Sequence, residues 1–275
     1  MLLDAVLFDS ELDILEFRLR LLSPYVDKFI ICEADKTFSG KDKPFHYWDN
    51  RERFAPWKHK IIHHPVRIDV SHLDFSEKPK QFDPNSVWWH VEKTQRNSLT
   101  DILTAPRKDI LELGIKQEDT FMMGDVDEFP SRKAIEWATE WITADAIVAC
   151  RQAFFYYDLT NLRHEHWHGT ILTTVRMALL TGAQEMRNRR NMCGFVPDGG
   201  WHLSYMGGEK AIRNKVENFS HQELNSDEFK SPDHIAECLK TGADLFNRGT
   251  VTERIDPKKF FPGYFQDAAK EIGWL

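Results

Sequence analysis

The residues best suited to chemistry form one acidic run, Asp125-Val126-Asp127-Glu128, directly after the apolar stretch TFMMG and just before Pro130 and Ser131. Two aspartates one residue apart can share a hard divalent cation, Mn2+ or Mg2+, which in turn neutralises a diphosphate. If TFMMG is a buried strand, its carboxyl end opens into the crevice where open α/β sheets bind ligands. The alternative is structural: acids ahead of Ser131 favour the dipole of the helix starting there. The run alone leaves both readings open.

A second candidate, His164-Glu165-His166-Trp167-His168, satisfies H-E-x-x-H. A zinc hydrolase built on His164, Glu165 and His168 needs both histidines on one helical face, with the glutamate as general base. The flanks, FFYYDLTNLR and GTILTTV, are rich in aromatic and β-branched residues that favour strands. A polar turn or substrate-facing edge is the expected outcome. A third candidate is Gly199-Gly200-Trp201-His202-Leu203-Ser204-Tyr205-Met206-Gly207-Gly208, read as a strand between two tight loops. It offers Trp201 as a stacking platform for an acceptor sugar and His202 as a ligand or donor, or else a strand with a packed tryptophan. Lys215 and Phe219-Ser220-His221-Gln222-Glu223 follow closely. Arg96, in a polar helical stretch, suits a phosphate through its paired donors. Arg187-Asn188-Arg189-Arg190-Asn191 reads as a surface loop, with a phosphate or acidic-acceptor role as the alternative. There is no P-loop, G-x-G-x-x-G, nucleophile elbow or EF-hand, which removes the common kinase, dinucleotide and hydrolase readings.

The elements that must position these groups alternate. Leu3–Asp9 reads as a strand, and Ser10 caps a helix with its apolar stripe at Leu12, Leu15, Leu19 and Leu22, stopped by Pro24. Asp27–Glu33 and Lys60–Val66 are further strands, Ser86–Leu103 a helix, and Thr120–Gly124 a strand. Ala146–Cys150, Ala153–Tyr157 and Thr170–Leu180 also read as strands. The order predicts an α/β fold around a central, mostly parallel sheet. The 275 residues, 41% hydrophobic and 29% charged, suit a single domain. Its donor-binding half would span about 1–130 and its acceptor-side half about 131–275. A net charge of −7 argues against nucleic acid as the partner. No apolar run approaches the roughly 18–20 residues of a membrane span. Four widely spaced cysteines predict free thiols and a cytoplasmic location.

In order, several blocks resemble one family. They are Ser10-Glu11-Leu12-Asp13-Ile14-Leu15, then Val26-Asp27-Lys28-Phe29 with Glu33 and Thr37-Phe38-Ser39-Gly40, then Gln95-Arg96-Asn97 and Gly124-Asp125-Val126-Asp127-Glu128-Phe129-Pro130-Ser131, then Gly200-Trp201-His202-Leu203-Ser204-Tyr205, and last Ser220-His221-x-Glu223. From about Asp4 to Arg248 the chain is similar to glycosyltransferase family 17, whose β-1,4-mannosyl-glycoprotein 4-β-N-acetylglucosaminyltransferases add bisecting N-acetylglucosamine to N-glycans. Phe155 to Pro197 matches no family block, and the membrane anchor of animal members has no counterpart here.

The resemblance implies a GT-A-type nucleotide-sugar-binding fold, a UDP-sugar donor, a divalent metal at Asp125 and Asp127, and inversion at the anomeric carbon. UDP-GlcNAc is the donor it suggests, and a glycan the acceptor. Strand-end topology and block order place the donor near Phe8, Asp9, Glu33, Arg96 and Asp125. His202 or His221 would complete the metal shell. Trp201 would face the acceptor. Asp198, just before the glycine pair, is the expected catalytic base, with Glu128, Glu165 and Glu223 as alternatives. A non-catalytic carbohydrate-binding protein with the same fold is the remaining reading.

Overall fold

The computed structural model describes residues 1–275. Its strands are β1 (Leu2–Phe8), β2 (Lys28–Ala34), β3 (Ile61–Val66), β4 (Thr120–Asp125), β5 (Glu128–Pro130), β6 (Ile147–Tyr156), β7 (Asn161–Thr174), β8 (Gly194–Ser204) and β9 (Thr252–Arg254). The helices are α1 (Leu12–Leu22), α2 (His46–Asp49), α3 (His90–Asp101), α4 (Lys108–Leu111), α5 (Arg132–Trp141), α6 (Val175–Thr181), α7 (Ala183–Asn188), α8 (Gly208–Asn218), α9 (Pro232–Thr241), α10 (Pro257–Phe260) and α11 (Gly263–Glu271). The strands form one sheet in the order β3-β2-β1-β4-β7-β6-β8-β5, with β9 on β7. Strands β3, β2, β1 and β4 run parallel. Beyond them β7 is antiparallel to β4 and β6, β8 is parallel to β6, and β5 is antiparallel to β8. This is the expected α/β fold, its sheet parallel through the first four strands and mixed beyond them.

Helices cover both faces of the parallel half, so β1 is apolar on both sides and buried throughout. Leu2, Val6 and Phe8 pack with α1, α5 and α11 through Leu15, Phe17, Ile135 and Phe265. Leu3, Ala5 and Leu7 pack with α3, α6 and α7 through Leu99, Val175 and Met186. Asp4 is the polar break in β1, fully buried against Arg18 of α1 at 2.7 and 2.8 Å. Arg18 also donates to the Glu128 carbonyl at 2.6 Å, tying the core to the acidic run.

The later elements differ from the sequence reading in two places. Ala146–Cys150 and Ala153–Tyr157 belong to the single strand β6, which absorbs irregularities in its pairing with β7. The stretch Thr170–Leu180 is part strand and part helix: the Thr174 side chain accepts from Met177 N, capping α6 and turning the chain out of the sheet. No helix is long and apolar enough to cross a membrane.

Candidate active site

β4 runs from Thr120 through four further buried residues and delivers Asp125 to the crevice beyond the sheet. Leu7 O accepts from Val126 N, and Asp127 O accepts from Leu203 N at 2.9 Å. The acidic run is thus clamped between the end of β1 and β8, while β5 sets Glu128 opposite His202. Gly124 lets Glu128 fold back: a β-carbon there would lie 2.8 Å from Glu128 Oε2.

Every carboxylate of the run meets a cation or a strong donor. Asp125 Oδ1 accepts from Arg96 at 2.8 Å and Oδ2 from Arg187 at 2.8 Å. Glu128, fully buried, accepts from Trp167 Nε1 at 2.6 Å, from Arg187 at 2.7 and 2.9 Å, and from Asp125 N at 3.1 Å. Asp127 Oδ2 holds Lys215 Nζ at 2.7 Å, and Oδ1 lies 3.5 Å from His202 Nε2. Burial opposes ionisation of both aspartates, but Arg187 and Arg96 hold Asp125 well below the usual carboxylate range, and Lys215 and His202 do the same for Asp127. Arg190 differs. Burial and the neighbouring Arg187 push it down to about 10, and its Nη1 donates only to the Arg187 carbonyl, at 3.3 Å. Arg96, Arg187, Arg190 and Lys215 therefore rim the cluster with positive charge in an otherwise acidic protein. At the end of β1, burial raises Asp9 and Glu11 above their ordinary values.

The structure brings Arg96, Asp125, Asp127 and His202 together, with Asp9 at the adjoining end of β1. It places several expected site residues elsewhere. Phe8 is fully buried in the core and presents no side chain to a ligand. Glu33 is also fully buried: it accepts from Tyr47 N and pairs with His63 Nε2, both at 3.0 Å, so it anchors the segment after β2. Trp201 is no stacking platform, because its ring packs into the core with Phe265 at 4.8 Å and Phe261 at 5.9 Å. Asp198 is 86% exposed and 3.8 Å from Lys133. It lies with φ at +53° in the irregular stretch of β8 before Gly200, and it lines a cavity that includes none of the acidic run. His221 turns to Glu223, with Nδ1 at 2.7 Å, instead of joining Asp127.

The H-E-x-x-H run lies in β7, without the helix a zinc hydrolase requires. His164 sits 3.6 Å from Glu253 and His168 contacts Asn191 at 3.1 Å. No three His, Cys, Asp or Glu side chains converge as a ready metal shell. Two cavities also lie off the acidic cluster. One of about 1060 Å3 borders Trp48, Arg51 and His63 at the edge strand β3. The other, about 760 Å3, is lined by Asp198, His164, His166 and Arg151.

Arg187, Arg190, Trp167 and Lys215 complete the site; the sequence placed none of them at the acidic run and offered a phosphate role for the Arg187–Asn191 stretch only as an alternative. Arg187 was expected in a surface loop and is instead buried on α7. A signal was present: Ala183 and Met186 mark a buried helical face, and Arg187, four residues after Ala183, falls on it. Trp167 was hidden inside the zinc-like run. Its ring packs on His202 at 4.8 Å, and Arg190 lies over it at 5.1 Å.

Among solved structures, the chain is similar to the galactosyltransferase LgtC in complex with donor and acceptor sugar analogues, at 10% identity and a TM-score of 0.37, covering 100% of this chain and 97% of that one. An active-site mutant of LgtC matches at 11% identity and a TM-score of 0.40, covering 98% and 96%. No curated protein matches by sequence. The family model for glycosyltransferase family 17 matches residues 1–253, and the chain, a glycosyltransferase, belongs to that family.

Proposed function

We propose that the enzyme transfers a sugar, N-acetylglucosamine, from a UDP-sugar to a glycan acceptor with inversion and with the help of a divalent cation. The observation that carries this reading is the convergence of Arg96, Arg187 and Lys215 on Asp125 and Asp127 at the carboxyl end of β4, with Arg190 against Arg187. A diphosphate needs such a rim, and Arg190, free of carboxylate partners, has donors to spare for it. Asp9, Arg96 and Asp125 hold the donor. Lys215 sits where negative charge grows on the leaving diphosphate.

The carboxylates fit Mn2+ or Mg2+. Each offers about four lone-pair positions, and the protein contacts at Asp125 and Asp127 leave some of them open. Asp125 and Asp127 would hold the ion, with His202 beside Asp127. Bound there, it would offset the diphosphate charge. We place the enzyme in a reducing, cytoplasmic setting on the strength of its four free thiols.

Thermal shift with UDP and UDP-GlcNAc, each with Mn2+ or with EDTA, tests the reading. Nucleotide should stabilise the protein, more so with Mn2+, and Asp127→Asn should abolish the response. Unchanged nucleotide binding in that variant, or stoichiometric zinc in the purified protein, would refute it. Donor binding with neither transfer nor donor hydrolysis would favour a non-catalytic carbohydrate-binding protein.

A further inference from the structure

Linked to the acidic cluster through Ser220, Glu92 and Arg96 is a carboxylate–imidazole pair that the donor reading leaves unused. His221 Nδ1 is 2.7 Å from Glu223 Oε1. The Glu223 side chain is only 9% exposed, and its Oε2 is buried without a hydrogen-bond partner. A buried carboxylate with one open oxygen is unfavourable unless a neighbour donates a proton to it or carries positive charge. Donation from Nδ1 to Glu223 selects the tautomer that leaves Nε2 as a proton acceptor. The imidazole is 40% exposed, so Nε2 can meet a substrate.

The pair is fixed in place on both sides. The His221 ring stacks on Phe82 at 5.5 Å and 29° and meets Trp89 edge-on at 4.8 Å. Ser220, its chain neighbour, donates to Glu92. Glu92 holds Arg96 at 2.6 Å and Arg96 holds Asp125 at 2.8 Å. Three contacts therefore link the pair to the cluster assigned to the donor. Phe82 is 54% exposed, a bare aromatic face of the kind that takes the C–H side of a sugar ring.

The other carboxylates considered for the proton do not compete. Glu128 is fully buried beneath Trp167 and Arg187. Glu165 is 62% exposed and tied to Arg163.

We propose that His221 is the general base, that Glu223 is its positioning residue, and that Phe82 with Trp89 seats the acceptor sugar ring. The proposal rests on the sugar-transfer reading above. As the acceptor oxygen bonds to the anomeric carbon, the bond from that carbon to the diphosphate breaks and its electron pair leaves with the diphosphate. The acceptor hydroxyl's proton passes to His221 Nε2. The Glu223 carboxylate stabilises the imidazolium that results.

The test uses the full chain with UDP-GlcNAc as donor and water or a panel of methyl pyranosides as acceptors, alongside calorimetry with UDP. His221→Ala should lower turnover by roughly 10²–10⁴-fold while UDP affinity is kept, and added imidazole should restore part of the rate. Glu223→Gln should lose less than His221→Ala. Phe82→Ala should raise KM for a pyranoside acceptor. Turnover in His221→Ala within about threefold of the parent, or a parallel loss of UDP affinity, would overturn the assignment. A parent enzyme that neither binds UDP nor cleaves UDP-GlcNAc would instead overturn the sugar-transfer reading beneath it.

Discussion

Arg187 is the residue on which the site's electrostatics turn, because it bridges the buried Glu128 and the part-exposed Asp125. Arg187→Met should destabilise the fold by about 3–5 kcal/mol, the usual consequence of leaving buried charge unpaired. Urea denaturation measures it, and Arg187→Lys should recover part of the loss. Proton linkage gives the sign of the acid response. Asp125 and Asp127 titrate below their unfolded values, so their contribution is full at neutral pH and is lost as pH falls below about 4. His64 acts at milder pH. Burial, then Arg107, lowers it to about 4 from 6.5, so the native state resists its protonation. Stability should therefore decline as pH falls from 6.5 towards 4, by roughly 2 kcal/mol once solvent screening is allowed for. Melting temperature against pH should show this slope in the parent and lose it in His64→Gln.

At the scale of elements, the short strand β5 depends on β8. Gly200 sits opposite Pro130 with φ at +139°, and a β-carbon there would lie 1.9 Å from Phe129 O and 2.8 Å from Ser131 N. A side chain at 200 would therefore force β5 and β8 apart, carrying His202 away from Asp127. Gly200→Ala should cost about 3 kcal/mol or more, since both the backbone and the space disfavour it. A lowered denaturation midpoint together with lost UDP binding would bear this out. A merely local defect would lower the midpoint and spare the binding.

For the whole molecule, the Asp4–Arg18 pair joins fold to function. It is fully buried between β1 and α1, and the same guanidinium donates to Glu128 O. Arg18→Met alone should destabilise by about 3–5 kcal/mol, because Asp4 is left charged in the core. Adding Asp4→Leu should recover much of that loss, because the pair's attraction is largely offset by its desolvation. Donor turnover should remain impaired in the double variant, since Glu128 still lacks its support. Chemical denaturation and UDP-GlcNAc cleavage, measured on the same proteins, separate the two effects.

Local spacing was enough to establish the α/β order, the strand ending at Asp125, the helix bearing Arg96 and the strand bearing His202. Apolar periodicity and turn residues act over a few positions, so a linear reading reaches them. The facing of single side chains was decided in three dimensions. Trp201 and His202 are neighbours on β8, yet alternation sends one ring into the core and the other to Asp127. Phe8 and Glu33 lie within a residue of the expected strand ends, but the packed segments above them close off their side chains. The partners of the acidic run come from far along the chain, Arg187 62 residues from Asp125 and Lys215 88 residues from Asp127. Only the folding of α7 and α8 over the sheet brings those charges together, and no local pattern encodes a contact across that separation.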